Sequence, residues 1–324
     1  MKTNALRILY ATRQTIFVAS VVTLVFATFP SLVIAQSAAT QLRIGVVTAR
    51  GPATHAENSI LNGIRLGSSE ASQTAKLFGD GVELFQASGD GQTVGARQAA
   101  DFLSSARKVQ VLIGVVAGDA DTLAGFAEQH GLIFLDVSSR SDALRASCRR
   151  NSFHVAASEA MYAAAQRFSV PRTAGGLNAS RGNDSVVLWD SRLERFGASQ
   201  LNDRYRAAAG SAMDGDAWAG WAAVKIAAES ALRSQSTDPS RLRAYMELPT
   251  TQFDGHKGWQ LSFRPLDHQL RQPLYMVVAA RGGARVVDIP DLRSISSASS
   301  ETAATDALDR LAGGAPRCAA GPRR

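Results

Sequence analysis

Cysteine is nearly missing: Cys148 and Cys318 are the two present in 324 residues. Neither sits in a close Cys or His pair, so no structural zinc centre can be read from the chain. The five histidines, His55, His130, His154, His256 and His268, stand far apart, with no His-Glu-x-x-His or His-x-His spacing. A Gly-x-Ser-x-Gly elbow is also lacking, which removes the usual signature of an exposed serine nucleophile. GDGQTVG at 89–95 has glycines but no Lys-Ser/Thr, so it reads as a strand-to-helix turn rather than a phosphate loop. Aromatic residues are sparse at 7 %, and the basic residues are scattered rather than striped with aromatics, which argues against nucleic-acid binding. An enzyme would have to assemble its site from distant residues, so a hydrolase with an unrecognised site is the reading left open in that class.

Acidic residues are missing from the first 35 positions, which carry Lys2, Arg7 and Arg13 followed by the apolar run TIFVASVVTLVF and Pro30. This is the pattern of a secretory leader, and the small residues Val33 and Ala35 place cleavage between Ala35 and Gln36. Residues 15–35 approach the ~20 apolar residues that span a bilayer, so a retained anchor is the competing reading. Pro30 and the small residues interrupt that run, and no lipid-accepting cysteine follows it. Removing the leader lowers the formal excess of positive charge from +7 to about +4 and leaves about 289 residues, enough for two modest domains. The expectation is an exported protein with no stable membrane insertion after cleavage. In an oxidising compartment Cys148 and Cys318 can form one disulfide, tying the far C-terminus to the middle of the chain.

From Leu42 onward, strand and helix patterns alternate. LRIGVV, VELFQA, KVQVLIGVV and LIFLDV read as strands, the third nearly all apolar, as a strand covered on both faces should be. Between them, 57–72 sets Ile60, Leu61 and Ile64 on one stripe, 93–106 spaces Ala99, Phe102, Leu103 and Ala106 helically, and 119–130 buries Leu123, Phe126 and Ala127. The fold class is therefore α/β, a parallel sheet flanked by helices, with ligands gathering beyond the carboxyl ends of the strands. Those ends are the loops 48–57, 87–93, 117–121 and 138–143, rich in Gly, Ser, Asp and Arg. Any single residue there also has a plain structural use as a cap or turn. Asp119 and Asp121, with Asp136, form a possible oxygen site for a hard cation, although helix capping explains the first two more simply.

SFHVA is a fifth strand and 158–168 a helix, after which SVPRTAGGLNASRGNDS has the composition of a loop. SVVLWD resumes as a strand, helices follow at 198–209, 215–233 and 239–248, and WQLSFR, PLYMVVAA and RVVDI are late strands, the last two a hairpin around RGGA. Residues 294–305 are a Ser/Ala/Thr linker before a short basic tail.

A strand ending in a Gly-Pro loop, then NSILNGIRLG, VLIGVV and HGLIFLDVSSRSDAL, resembles the first lobe of type I periplasmic solute-binding proteins of the branched-chain amino-acid-binding group. FHVAASEAM, the segment FGASQLNDRYRAAAGSAMDGDAWAGWAAVKIAAESALR and LSFRPLDHQLRQPLYMV are similar to one subgroup, the ABC-transporter substrate-binding proteins associated with pyrroloquinoline-quinone (PQQ)-dependent alcohol dehydrogenase systems. The likeness covers most of residues 42–290. It implies two lobes closing on a small-molecule ligand, with an ABC-transporter permease as partner, no cofactor and no enzymatic activity. By position, the family's ligand contacts fall on Ala117, Gly118, Asp119, Ser138, Ser139 and Arg140, with Ser141 beside them. Serine hydroxyls and backbone N–H groups suit a carboxylate, Arg140 an anion and Asp119 a cation, so ligand identity stays open. On this plan residues 36–150 form lobe one, 151–255 a shortened lobe two with crossover helices, 256–293 the C-terminal strands and hinge, and 294–324 the linker and tail. A bridge from Cys148 to Cys318 would clamp the tail along the hinge, leaving Arg149 and Arg150 solvated or facing ligand. A βαβ unit needs about 30 residues, more than the polar loop before Val186 supplies, so lobe two is expected to lack its first elements. That shortening keeps a second reading open, a periplasmic accessory protein with a degenerate pocket.

Overall fold

The computed structural model describes residues 41–89, 93–169, 185–265, 267–289 and 307–311. The leader with its cleavage point, the polar stretch 170–184, the linker 294–305 and Cys318 lie outside the described residues.

The first half alternates as β1 (Gln41–Ala49), α1 (His55–Leu77), β2 (Gly81–Gly89), α2 (Thr93–Arg107), β3 (Val111–Gly114), α3 (Ala120–His130), β4 (Ile133–Asp136), α4 (Asp142–Ala146) and β5 (Ser152–His154). The strands form one parallel sheet in the order β2-β1-β3-β4-β5. Because successive side chains point to opposite faces, Val111 and Ile113 enter one core with Ile60 and Ile64 of α1, while Leu112 enters the other with Leu103 of α2 and Leu123 of α3. Both faces are covered, which is why β3 is apolar throughout.

Local chemistry sets the element ends. The Thr54 hydroxyl accepts from the Glu57 N–H at 3.2 Å while the Glu57 carboxylate accepts from the Thr54 N–H at 2.7 Å, a reciprocal cap that starts α1 at His55. The helix is longer than the 57–72 expected. β3 is shorter than KVQVLIGVV, beginning after Lys108 takes a left-handed φ of 55°. On α2, Ala99 and Leu103 are buried as expected, but Ala106 and Phe102 are exposed, the latter under the Arg107 guanidinium at 5.5 Å from its ring.

The second half comprises α5 (Glu159–Ser169), β6 (Ser185–Val187), α6 (Ala198–Ala209), α7 (Gly215–Ser234), α8 (Pro239–Met246), β7 (Phe253–Asp254), β8 (Gln260–Phe263), β9 (Leu270–Arg271), β10 (Tyr275–Ala280), β11 (Gly283–Asp288) and α9 (Ala307–Arg310). β10 and β11 make the expected hairpin, and β6 joins the other edge of β10, giving a three-stranded antiparallel sheet. β7, β8 and β9 form another.

α7 turns back onto the parallel sheet and lies against α1 with backbone nearly touching backbone. A Cβ at Gly63 would sit 1.9 Å from the Ala217 carbonyl oxygen, and one at Gly220 would sit 2.3 Å from that of Ile60. Only hydrogen fits at either place. β5 runs beside β9, with the His154 N–H donating to the His268 carbonyl at 2.9 Å. The tail docks here too: Leu308 and Leu311 are buried, and Arg271 pairs with Asp309 at 2.9 Å. No helix among the described residues is long and apolar enough to cross a membrane.

Candidate functional site

The close contact of α1 with α7 brings two helix N-termini side by side at the carboxyl end of the parallel sheet. Asp214 caps α7, accepting from the Ala217 N–H at 2.8 Å. The same carboxylate accepts from the Ser59 hydroxyl at 2.9 Å and faces His55 Nε2 at 3.5 Å. Asp216 stands one turn position further on, half-buried. Burial pushes its carboxyl up, the Asp214 charge adds to that, and Arg140 and His55 oppose it.

Across from this acidic end, the loop after β4 delivers Arg140, whose guanidinium lies 4.5 Å from the ring centre of Tyr162 on α5. Such a cation over an aromatic face is stabilised by the ring quadrupole and keeps the guanidinium pre-positioned. Burial raises the Tyr162 phenol, against the pull of Arg140. The third wall is the end of β6 and the turn beyond it. There Arg192 grips Asp190 through both carboxylate oxygens, at 2.7 and 2.6 Å, and holds that carboxyl below its ordinary range. Asn202 braces the turn, accepting from the Trp189 indole at 2.8 Å and donating to the carbonyls of Ser191 and Leu193. The three walls enclose a cleft of about 470 Å³, a size suited to one small molecule.

Of the residues expected from the sequence, Arg140 lines this cleft. Ala117, Gly118 and Asp119 form a single 3-10 turn after β3, with the first two exposed and no capping hydrogen bond from Asp119. Ser138 donates to the Gly114 carbonyl, Ser139 is buried, and Ser141 caps α4 by accepting from the Leu144 N–H at 3.2 Å. None of these six residues is among those lining the cleft, although Ser138, Ser139 and Ser141 share a loop with Arg140. Cys148 is exposed at the end of α4 with a φ of 55°, and its expected partner Cys318 lies outside the described residues.

The oxygen site imagined for Asp119, Asp121 and Asp136 does not form. Asp121 pairs with Arg149 at 2.7 Å at the solvent-exposed edge of α3, away from the cleft-lining residues. Asp136 is fully buried and accepts from His154 Nδ1 at 3.0 Å and the Ser139 N–H at 2.9 Å, with Arg145 at 3.5 Å. Burial opposes its ionisation, yet His154, Arg145 and the Ser139 N–H together hold it below the ordinary carboxylate range. Among the described residues no three His, Cys, Asp or Glu side chains are placed to share a metal ion.

The sequence reading missed Tyr162, Asp190, Asp214 and Asp216. The acidic pair in MDGDAW carried a signal, because an Asp two residues before a helix-forming run is a cap whose neighbour shares its end of the helix. Which loop that end would face depended on the α1–α7 contact.

Residues 41–188 match the family described as Periplasmic binding protein. No curated protein matches the chain by sequence. Among solved structures, a branched-chain amino acid ABC-transporter periplasmic ligand-binding protein from Burkholderia xenovorans is 13 % identical with a TM-score of 0.63, covering 78 % of this chain and 98 % of its own. A solute-binding protein of an ABC transporter from R. palustris, in complex with benzoate, is 13 % identical with a TM-score of 0.62, covering 77 % of this chain and 96 % of its own. A branched-chain amino acid transporter substrate-binding protein from Streptococcus pneumoniae, in complex with isoleucine, is 14 % identical with a TM-score of 0.59, covering 77 % of this chain and all of its own. At these identities the likeness speaks to architecture. The chain has the α/β fold of the type I periplasmic binding proteins, a parallel sheet flanked by helices.

Proposed function

We propose that this chain is an exported solute-binding protein that captures a small polar molecule between two lobes and presents it to the permease of an ABC transporter. One observation carries the reading: a solute-sized cleft at the carboxyl ends of the parallel strands, lined by Arg140, Asp214 and Asp216. The fold likeness supports the function class, and the R. palustris and S. pneumoniae proteins were seen with benzoate and isoleucine respectively. Charges of both signs in one recess favour a ligand with polar groups of its own. Ala117–Asp119 and Ser138–Ser141 are proposed to join the contact when the cleft closes. The finer assignment is a periplasmic protein, freed at Ala35, serving PQQ-dependent alcohol oxidation, with a second lobe shortened between α5 and β6. Docking of residues 307–311 beside β9 supports a Cys148–Cys318 bridge that clamps the tail.

A thermal-shift screen of the purified mature protein against amino acids, short-chain alcohols and acids, quinones and metal ions tests this. Binding to the native state raises the melting temperature. Replacing Asp216 by Asn or Arg140 by Ala should then weaken the hit by about tenfold or more, the scale of a lost charge-assisted hydrogen bond. Silence across the panel would defeat the reading in favour of an accessory protein, and turnover of a generic ester would favour a hydrolase.

A further inference from the structure

Lys257 is 1 % exposed and has no carboxylate partner among the described residues. Its ammonium donates instead to three neutral acceptors: the Leu188 carbonyl at 2.9 Å, the Gln272 side-chain oxygen at 3.1 Å and the Pro273 carbonyl at 3.1 Å. It also sits 3.8 Å from the centre of a Trp218 ring whose indole N–H donates to the Gly255 carbonyl, so the loop bearing Lys257 is docked on α7.

Those acceptors share one property. Among the described residues the chain passes between the parallel-sheet part and the β6–β10–β11 part at three places: after β5, after β6, and between β9 and β10; it returns once more between β11 and α9, through residues outside the described ones. Leu188 belongs to the second passage, and Gln272 and Pro273 to the third. Gln272 then extends the chain of bonds to the first, donating to the Val155 carbonyl at 2.7 Å. We propose that Lys257 is the fastening point of these three described passages, a positioning residue through which the hinge axis runs.

The physical argument rests on what an ammonium does that an apolar side chain cannot. Burying a charge without a counter-charge costs free energy, so this lysine is a poor choice for stability alone. Its three protons, however, hold three acceptors around one point. A motion that pulled the second or third passage away would take an acceptor from a buried ammonium, and one that pulled the first away would break the Gln272 link, whereas rotation about Lys257 preserves every bond. The opening of the cleft, whose wall includes Leu188, is thereby restricted to motions pivoting there. That use of the residue rests on the two-lobe reading, but the bonding pattern does not.

Hydrogen exchange read by mass spectrometry on the ligand-free mature protein tests the proposal without a ligand. In Lys257→Met, peptides spanning 153–158, 187–192 and 270–276 should together exchange about tenfold faster, because exchange reports local opening. The strands β1 and β3 should stay unchanged, and the melting temperature should move by no more than a few degrees. Acceleration at one passage alone, at none, or everywhere in step with a lowered melting temperature would overturn the proposal. If Lys257→Met does not fold, Gln272→Leu provides the second arm. Cutting that link should loosen 153–158 and spare 187–192, and protection unchanged at 153–158 would equally refute it. Failure of the ligand screen leaves these outcomes untouched.

Discussion

Two cations are buried where the halves of the molecule meet, and they are housed in opposite ways. Arg145 is 4 % exposed and lies 3.5 Å from the fully buried Asp136, with its other N–H groups given to Gln269, the Ser141 carbonyl and the Ala156 carbonyl. Lys257 is as deeply buried but faces only carbonyl oxygens, an amide and aromatic rings. Guanidinium offers five donors in a plane and stays charged, so it can satisfy a carboxylate and a surrounding backbone at once. The lysine has a single point charge, which burial drives well below its ordinary range of titration. One arrangement is a matched pair whose members need each other, and the other is a set of bonds converging on one atom.

Arg145→Met is the sharpest way to break the first arrangement. It should cost about 3–5 kcal/mol, because it leaves Asp136 buried without its arginine, and urea unfolding near neutral pH would measure it. A loss below ~1 kcal/mol would mean that His154 and the backbone N–H groups of Ser138 and Ser139 satisfy the carboxylate without the arginine.

Acid offers the next largest effect. Asp136 and His154 both titrate below their ordinary values, Asp136 against the effect of burial and His154 mainly because of it. For each, the unfolded chain takes up a proton at a pH where the folded chain still refuses it. Stability should therefore fall as pH drops, first through the ordinary histidine range and again through the carboxylate range, by up to about 1.4 kcal/mol per pH unit per proton. Asp136→Asn should flatten the lower part of that curve.

Lys257→Met should change stability at neutral pH by no more than about 1 kcal/mol, since an apolar group of similar length removes a desolvation cost along with the bonds. The pH dependence has a defined sign. With the folded value depressed, the unfolded chain holds a proton that the folded chain sheds, so the wild type should gain on the variant as pH rises between the two values. The Tyr275 ring faces the same amine and is shared by both proteins, so their difference isolates the lysine. The smallest effect belongs to Arg149→Ala. Its partner Asp121 is largely exposed, and water screens the pair to about 1 kcal/mol or less.

The parallel sheet was legible because each strand and helix announces itself over a few turns. Ile60, Leu61 and Ile64 mark α1, and the Val111–Gly114 run marks β3. Arg140 was legible as a charged residue on a carboxyl-end loop. Asp214 and Asp216 were not, since they reach the cleft through a helix set against α1, with Ser59 and Asp214 155 positions apart, and Tyr162 was not, since nothing local shows that Arg140 would lie over its ring. Phe102 shows the same gap: its spacing is that of a core residue, but it lies at the rim where Arg107 covers it.

The contact of Gly63 with Ala217 has a consequence for biogenesis. A ribosome releases α1 and the strands it packs on long before α7, so the small-residue face of α1 around Gly63 stays open until Ala217 and Gly220 have been made. That side of the first-made half can close only after α7 emerges, whereas the core on the other face of the sheet draws only on residues up to Leu144 and needs nothing made later.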